Sequence, residues 1–283
     1  MFKSTGLILL LAAALMIGGC SSPESVEELR AAGKKAYLDE KFREAREYFL
    51  KALAQKPSDK DLLYFLASAY QRDSMYDSAL FYLQRSNILF PKDRETNQRI
   101  YKIALLLEKW EDAISAVNVI AEVDGNIDTH AGELMMLWAS NGTPINALYW
   151  GRRAIEHDPD NLQWYLGVAQ NAVPCDSIEL GLAALDSALN RFDSTYTDGL
   201  MLQKGIMLTE AGRYAEAERI FRPFVERDST SVPYRHYLAN SLAGQDGRAK
   251  KAEALALFKE IQPVVPPENQ VDSIIAQLEK DLQ

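Results

Sequence analysis

The sequence predicts an all-α chain, an array of about seven helix-turn-helix repeats closed by a C-terminal helix. Three observations carry that reading. Alanine recurs every 34 residues at Ala45, Ala79, Ala113 and Ala147. The same interval links the helix-stopping residues Pro57, Pro91, Gly125 and Pro159, so two independent columns share one register. Within the first copy, Gly33, Phe42, Ala45, Phe49 and Ala52 place small and aromatic residues at helical spacing. Two amphipathic helices joined by a tight turn require that pattern.

Taken in order, residues 26–59 form the first repeat. Residues 60–93 form the second, with Leu66, Ala67, Tyr70, Tyr76, Ala79, Leu83 and Pro91 in the corresponding columns. The third, 94–127, keeps Ile100, Ala104, Trp110, Ala113 and Val117 and ends on Gly125, which stops a helix as well as proline does. In the fourth, 128–161, Gly142-Thr143-Pro144 reads as a helix stop, an N-cap and a first-turn proline. The fifth, 162–195, holds its register, but Pro174 is expected to shorten its first helix. The phase then slips by two residues, and a longer loop over 190–198 is expected to absorb the slip. The sixth repeat starts near 198 with Gly205, Gly212, Tyr214, Ala217 and Phe221. The seventh, 232–266, contains the expanded turn Gly244-Gln245-Asp246-Gly247. Residues 267–283 place Val271, Ile274, Ile275 and Leu278 on one face, as a capping helix with a polar outer face would.

These columns resemble the tetratricopeptide repeat family, whose period and W-L-G-Y-A-F-A-P style of pattern they match at most positions. The resemblance implies a superhelical solenoid in which small residues mark the helix crossings and aromatic side chains fill the neighbouring holes. It implies protein or peptide binding on a concave groove, with neither catalysis nor cofactor.

The first nineteen residues differ in kind. Lys3 precedes an apolar run from Leu7 to Ile17 that is short for a membrane span. Ile17-Gly18-Gly19-Cys20 is similar to the lipobox of bacterial lipoproteins, so residues 1–19 are expected to be a signal peptide and Cys20 the site of lipid attachment. An ordinary secretory signal ending near a cysteine is the alternative. Residues 20–25 would then be a short lipidated tether, anchored by several acyl chains. Ser21, where an inner-membrane retention signal would usually place aspartate, favours the outer membrane.

With 31 basic against 40 acidic residues, the formal charge is −9, and loss of Lys3 makes the body more acidic still. Nucleic acid is therefore not an expected partner. If Cys20 carries lipid, Cys175 has no internal cysteine to pair with. The three histidines, His130, His157 and His236, lie far apart in the sequence and in no metal-binding motif. Asp124, Asn126 and Asp128 begin like a calcium loop but lack its glycine and distal glutamate, and read as a polar turn between repeats. No nucleophile motif or phosphate-binding glycine loop appears. No catalytic residue, metal site or cofactor is expected, and no small-molecule substrate.

In the tetratricopeptide repeat family, the first helix of each repeat lines the groove at about its second, fifth, ninth and twelfth or thirteenth positions. Carried onto repeats one to three, that rule selects Arg30, Lys34, Tyr37, Tyr64, Arg72 and Lys102. Carried onto repeats four to six, it selects Met136, Leu166, Gln170, Leu202 and Ile206. The resemblance thus implies a groove holding an acidic segment in its first half and an apolar one further along. The competing reading pairs the cations with Glu27, Asp61 and Glu95 and packs the apolar residues between helices. The family's two-carboxylate clamp is not reproduced, since Ser68 and its neighbours do not supply the required asparagines. The function expected is a membrane-anchored scaffold that binds protein partners in a bacterial envelope assembly. The alternative is a glycan- or nutrient-capture lipoprotein of the cell surface.

Overall fold

The computed structural model describes residues 24–265 and 270–283. The expected signal peptide, Cys20 and most of the tether therefore lie outside the described residues, as does Pro266. Fifteen α-helices and no strand occur among the described residues. The pairs are α1 (Val26–Leu38) with α2 (Phe42–Gln55), α3 (Lys60–Arg72) with α4 (Tyr76–Leu89), and α5 (Arg94–Leu106) with α6 (Trp110–Asp124). They continue as α7 (Ala131–Ser140) with α8 (Pro144–His157), α9 (Leu162–Ala172) with α10 (Ile178–Arg191), and α11 (Ser194–Glu210) with α12 (Tyr214–Arg227). The last pair is α13 (Val232–Ala243) with α14 (Arg248–Ile261), followed by the single helix α15 (Val271–Leu282).

Six of the seven first helices and six of the seven internal turns are punctuated the same way, the exceptions being the start of α7, which has no side-chain cap, and the turn before α14. First helices begin at side-chain caps: Ser25, Asp59, Asp93, Asn161, Asp193 and Ser231 each accept a backbone N–H from the first turn. Ser25 and Glu28 form a reciprocal capping box. Second helices start differently. The chain passes through one left-handed residue, at Glu40, Ser74, Glu108, Gly142, Asp176 and Gly212 in turn. The next N–H donates to the carbonyl five residues back, as Lys41 does to Ala36, Met75 to Tyr70 and Thr143 to Trp138. These are the six-to-one bonds that close a helix C-terminus. Thr143 does occupy the N-cap position of α8, but its side chain caps nothing. Its N–H is turned back onto the preceding helix instead.

The two-residue phase slip is not absorbed by a long loop. Helix α10 runs to Arg191 and α11 starts at Ser194, so α11 has 17 residues where α1, α3 and α5 have 13. Asp193 accepts the N–H of Thr195 and nucleates the helix early, converting the expected loop into an additional turn. Pro174 does end α9 after 11 residues, in a 3-10 turn over Val173–Cys175.

Contacts group the chain into two compact units, the first ending at Val123 and the second running from Asp124 to Gln283. In the first, Phe49 is fully buried and stacks on Phe65 at 5.7 Å, beneath Gly33. A β-carbon on Gly33 would stand 2.6 Å from the Phe49 ring, so only glycine permits this crossing. Ala67, Ala79 and Ile103 continue the packing through α3, α4 and α5. The second unit has one continuous core from Leu148 to Leu278, with Phe221 and Phe258 fully buried. Gly205 repeats the Gly33 arrangement against Phe221 at 2.5 Å. Helix α15 closes this core with Val271, Ile275 and Leu278 and turns Asp272 and Lys280 outward.

Candidate functional site

In the first unit, the face shared by α1, α3 and α5 brings together the cationic and aromatic residues selected from the sequence. Arg30 is not a free cation. Its guanidinium lies 2.6 Å from Asp59 and 3.3 Å from Glu27, with only 17% of its side chain exposed. Asp59 also caps α3 through the Leu62 N–H and meets Lys56 at 2.7 Å. Burial raises the pKa of Asp59, but those hydrogen bonds and the two cations outweigh it and hold the carboxyl below its ordinary value. Arg30 therefore works as a strut between repeats, with Asp59 and not Asp61 as its partner.

Arg72 lies 5.3 Å from the Phe42 ring centre and 3.9 Å from Glu40, an exposed and loose pair. Tyr37 packs edge-on against the same Phe42 at 5.5 Å. Lys34 and Lys102 make no ion pair among the described residues. The Lys34 ammonium stands over Phe65 at 4.5 Å. Phe65 meets Tyr64 edge-on at 5.7 Å, and Tyr64 lies under the Arg99 guanidinium at 4.5 Å. Tyr64 donates its hydroxyl to Glu95 at 2.8 Å; that bond and burial together raise its pKa. Arg99 donates to Gln71 and to the Tyr64 carbonyl, both neutral. A ladder of cation, ring, ring and cation thus crosses from α1 to α5, and Lys102 stands one turn beyond Arg99. Sequence reasoning missed Arg99, because it falls outside the groove positions of the repeat rule and reaches the face only by leaning back onto α3.

In the second unit, Met136 is 53% exposed and Gln170 is exposed. Leu166, Leu202 and Ile206 are half-buried and pack against the core. Most of the apolar stripe therefore holds helices together, and Met136 is the member that stands clear. Cys175 lies half-buried in the 3-10 turn as a free thiol. His130 faces Asp124 and Glu133 at 3.5 and 3.2 Å, and among the described residues no group of three or more His, Cys, Asp or Glu is placed to hold a metal ion. No described helix is long and apolar enough to cross a membrane.

Comparison with known proteins agrees on architecture. No family model matches the chain, and no curated protein matches it. Among solved structures, it is similar to a chain of the Naa15/Naa10 assembly bound to HypK-THB, with a TM-score of 0.69 at 13% identity. That alignment covers 88% of this chain and 39% of the other, so this chain spans well under half of that protein's length. A tetratricopeptide repeat protein from Parabacteroides merdae matches over 90% of this chain and 98% of its own, at 12% identity and a TM-score of 0.42. PilW, described as a type IV pilus biogenesis factor, matches over 76% and 98%, at 13% identity and 0.49. The fold is that of the tetratricopeptide repeat proteins: consecutive helix pairs with small residues at the crossings and a closing helix at the C-terminus.

Proposed function

We propose that this chain is a non-catalytic scaffold that binds protein partners on the face formed by the first helices of its repeats. The observation that carries the reading is the ladder Lys34, Phe65, Tyr64, Arg99, extended by Lys102. On an acidic protein, this face presents three cations, Lys34, Arg99 and Lys102, that make no ion pair among the described residues, beside aromatic rings that add contact area at little entropic cost. An acidic segment of a partner fits that chemistry. The lipobox-like Ile17 to Cys20 supports attachment to a bacterial envelope membrane, with Ser21 favouring the outer one. The tether would then hold α1 close to the bilayer and present the cationic face near its surface.

Crosslinking in cells, followed by co-purification with the native N-terminus intact, tests the reading. It expects a stable complex with an envelope protein, and membrane retention that Cys20→Ser abolishes. Retention of Cys20→Ser without any acyl modification overturns the anchor. Recovery of the chain alone under crosslinking overturns the scaffold.

A further inference from the structure

In the second unit, the C-terminal ends of α11 and α13 and one side of α15 border an open cleft of about 610 Å3. Ala243, Ile274 and the edge of the largely buried Leu278 supply its apolar lining. Its rim carries the carboxylates of Glu210 and Asp281, the side-chain amides of Asn240 and Gln277, and the hydroxyls of Thr209, Tyr214 and Ser273. Glu210, at the last position of α11, is exposed, and neither its carboxylate nor the side chain of Asn240 on α13 has a partner among the described residues. From α15, Asp281 accepts Lys251 at 2.6 Å on one oxygen and Gln277 at 2.6 Å on the other. Each of those oxygens keeps a second lone pair, and the Gln277 carbonyl oxygen is unused. No lysine or arginine lines the cleft.

We propose that this cleft binds an arginine side chain of a peptide lying along the first-helix face of the second unit. The aliphatic stem rests on Ala243, Ile274 and Leu278, as long cationic side chains do on apolar surface. The guanidinium sits among Glu210, Asn240, Gln277 and Asp281. Its fork of five donors suits acceptors spread over three helices, which a single ammonium cannot reach together. Glu210 supplies the charge that is not already neutralised, because Asp281 shares its own with Lys251. Hydrogen bonds from Lys251 and Gln277 hold the Asp281 carboxyl below its ordinary pKa, so it remains an acceptor throughout the neutral range. The inference rests on the reading that the first-helix face binds polypeptide, and it assigns the second unit a chemistry opposite to that of the first.

The test is fluorescence anisotropy with the full chain and a short capped peptide carrying arginine between leucines. A twin with citrulline, which has the same shape and no charge, is the reference. The arginine peptide should bind about tenfold more tightly than its twin, the worth of one charge-assisted hydrogen bond. In Glu210→Gln the two affinities should converge to within about twofold, with an unchanged thermal midpoint, since Glu210 makes no contact that folding needs. Equal affinities in the wild type, or a preference that survives Glu210→Gln, overturns the assignment. An acidic peptide measured alongside separates the two levels. If it still binds through Lys34 and Lys102 while the arginine peptide does not bind, the cleft inference alone falls. If neither peptide binds, the polypeptide reading falls with it.

Discussion

The Lys34 ammonium stands 4.5 Å from the centre of the Phe65 ring, and this contact links the charge of α1 to the aromatic surface of α3. Because no carboxylate among the described residues neutralises Lys34, its field is available to a partner. The charge reversals Lys34→Glu and Lys102→Glu together should weaken capture of an acidic peptide about tenfold at low ionic strength. The wild-type affinity should itself fall as salt shortens the screening length. The cation–π contact is worth only about 0.5–1 kcal/mol, so the thermal midpoint should drop slightly. Binding as tight as wild type by the double variant at low salt would remove this face from the proposal.

Helix crossings give a second expectation. Ala79 and Ala147 are completely buried, and Gly33 lies against the fully buried Phe49. Ala79→Leu, Ala147→Leu and Gly33→Ala should each lower stability by about 1–3 kcal/mol through overpacking. His157→Ala, at an exposed position, should change it by less than about 0.5 kcal/mol. Chemical denaturation of the four variants checks this, and a uniform response would contradict the column assignment.

The turn inside each pair tests the backbone account. Ser74 is held at φ 57 and Glu108 at φ 54, a region where a side chain is strained, whereas Gly142 at φ 71 has open space around its missing β-carbon. Ser74→Gly and Glu108→Gly should therefore stabilise the fold, and Gly142→Ala should destabilise it, each by about 1 kcal/mol. The opposite signs in thermal denaturation distinguish backbone strain from any loss of contact.

Glu218 contributes to the acid response of the second unit. Burial raises its pKa, but hydrogen bonds from Lys250 at 2.6 Å, Arg222 at 2.6 Å and Gln245 at 2.9 Å overcome that and bring it from 4.5 to about 2. A carboxylate depressed on folding contributes stability that is complete above its unfolded pKa and lost as pH falls through the folded one. The window is therefore from about 4.5 down to about 2. Glu218→Gln should cost about 1–3 kcal/mol at neutral pH. The gap to wild type should close as the pH approaches 2, and a gap that stays constant with pH would refute the network's role.

The repeat register, the helix pairs and the crossing columns were determined by the sequence alone. In a stacked array, each packing residue meets neighbours at nearly constant separation along the chain, so Ala45, Ala79, Ala113 and Ala147 announce their environment by their spacing. The capping helix was legible for a similar reason, since Val271, Ile275 and Leu278 form one apolar face. Only the tertiary structure decided which cations remain available. Arg30 finds Asp59, 29 residues away, and Arg99 leans onto Gln71 and Tyr64, 28 and 35 residues away. Those outcomes depend on side-chain reach and rotamer, which a periodicity of backbone positions does not encode. The slip before α11 became helix because the Asp193 cap stabilised an early first turn. The cleft exists only because α15 docks on α14, bringing Glu210, Asn240 and Asp281 from three separate stretches of sequence to one rim.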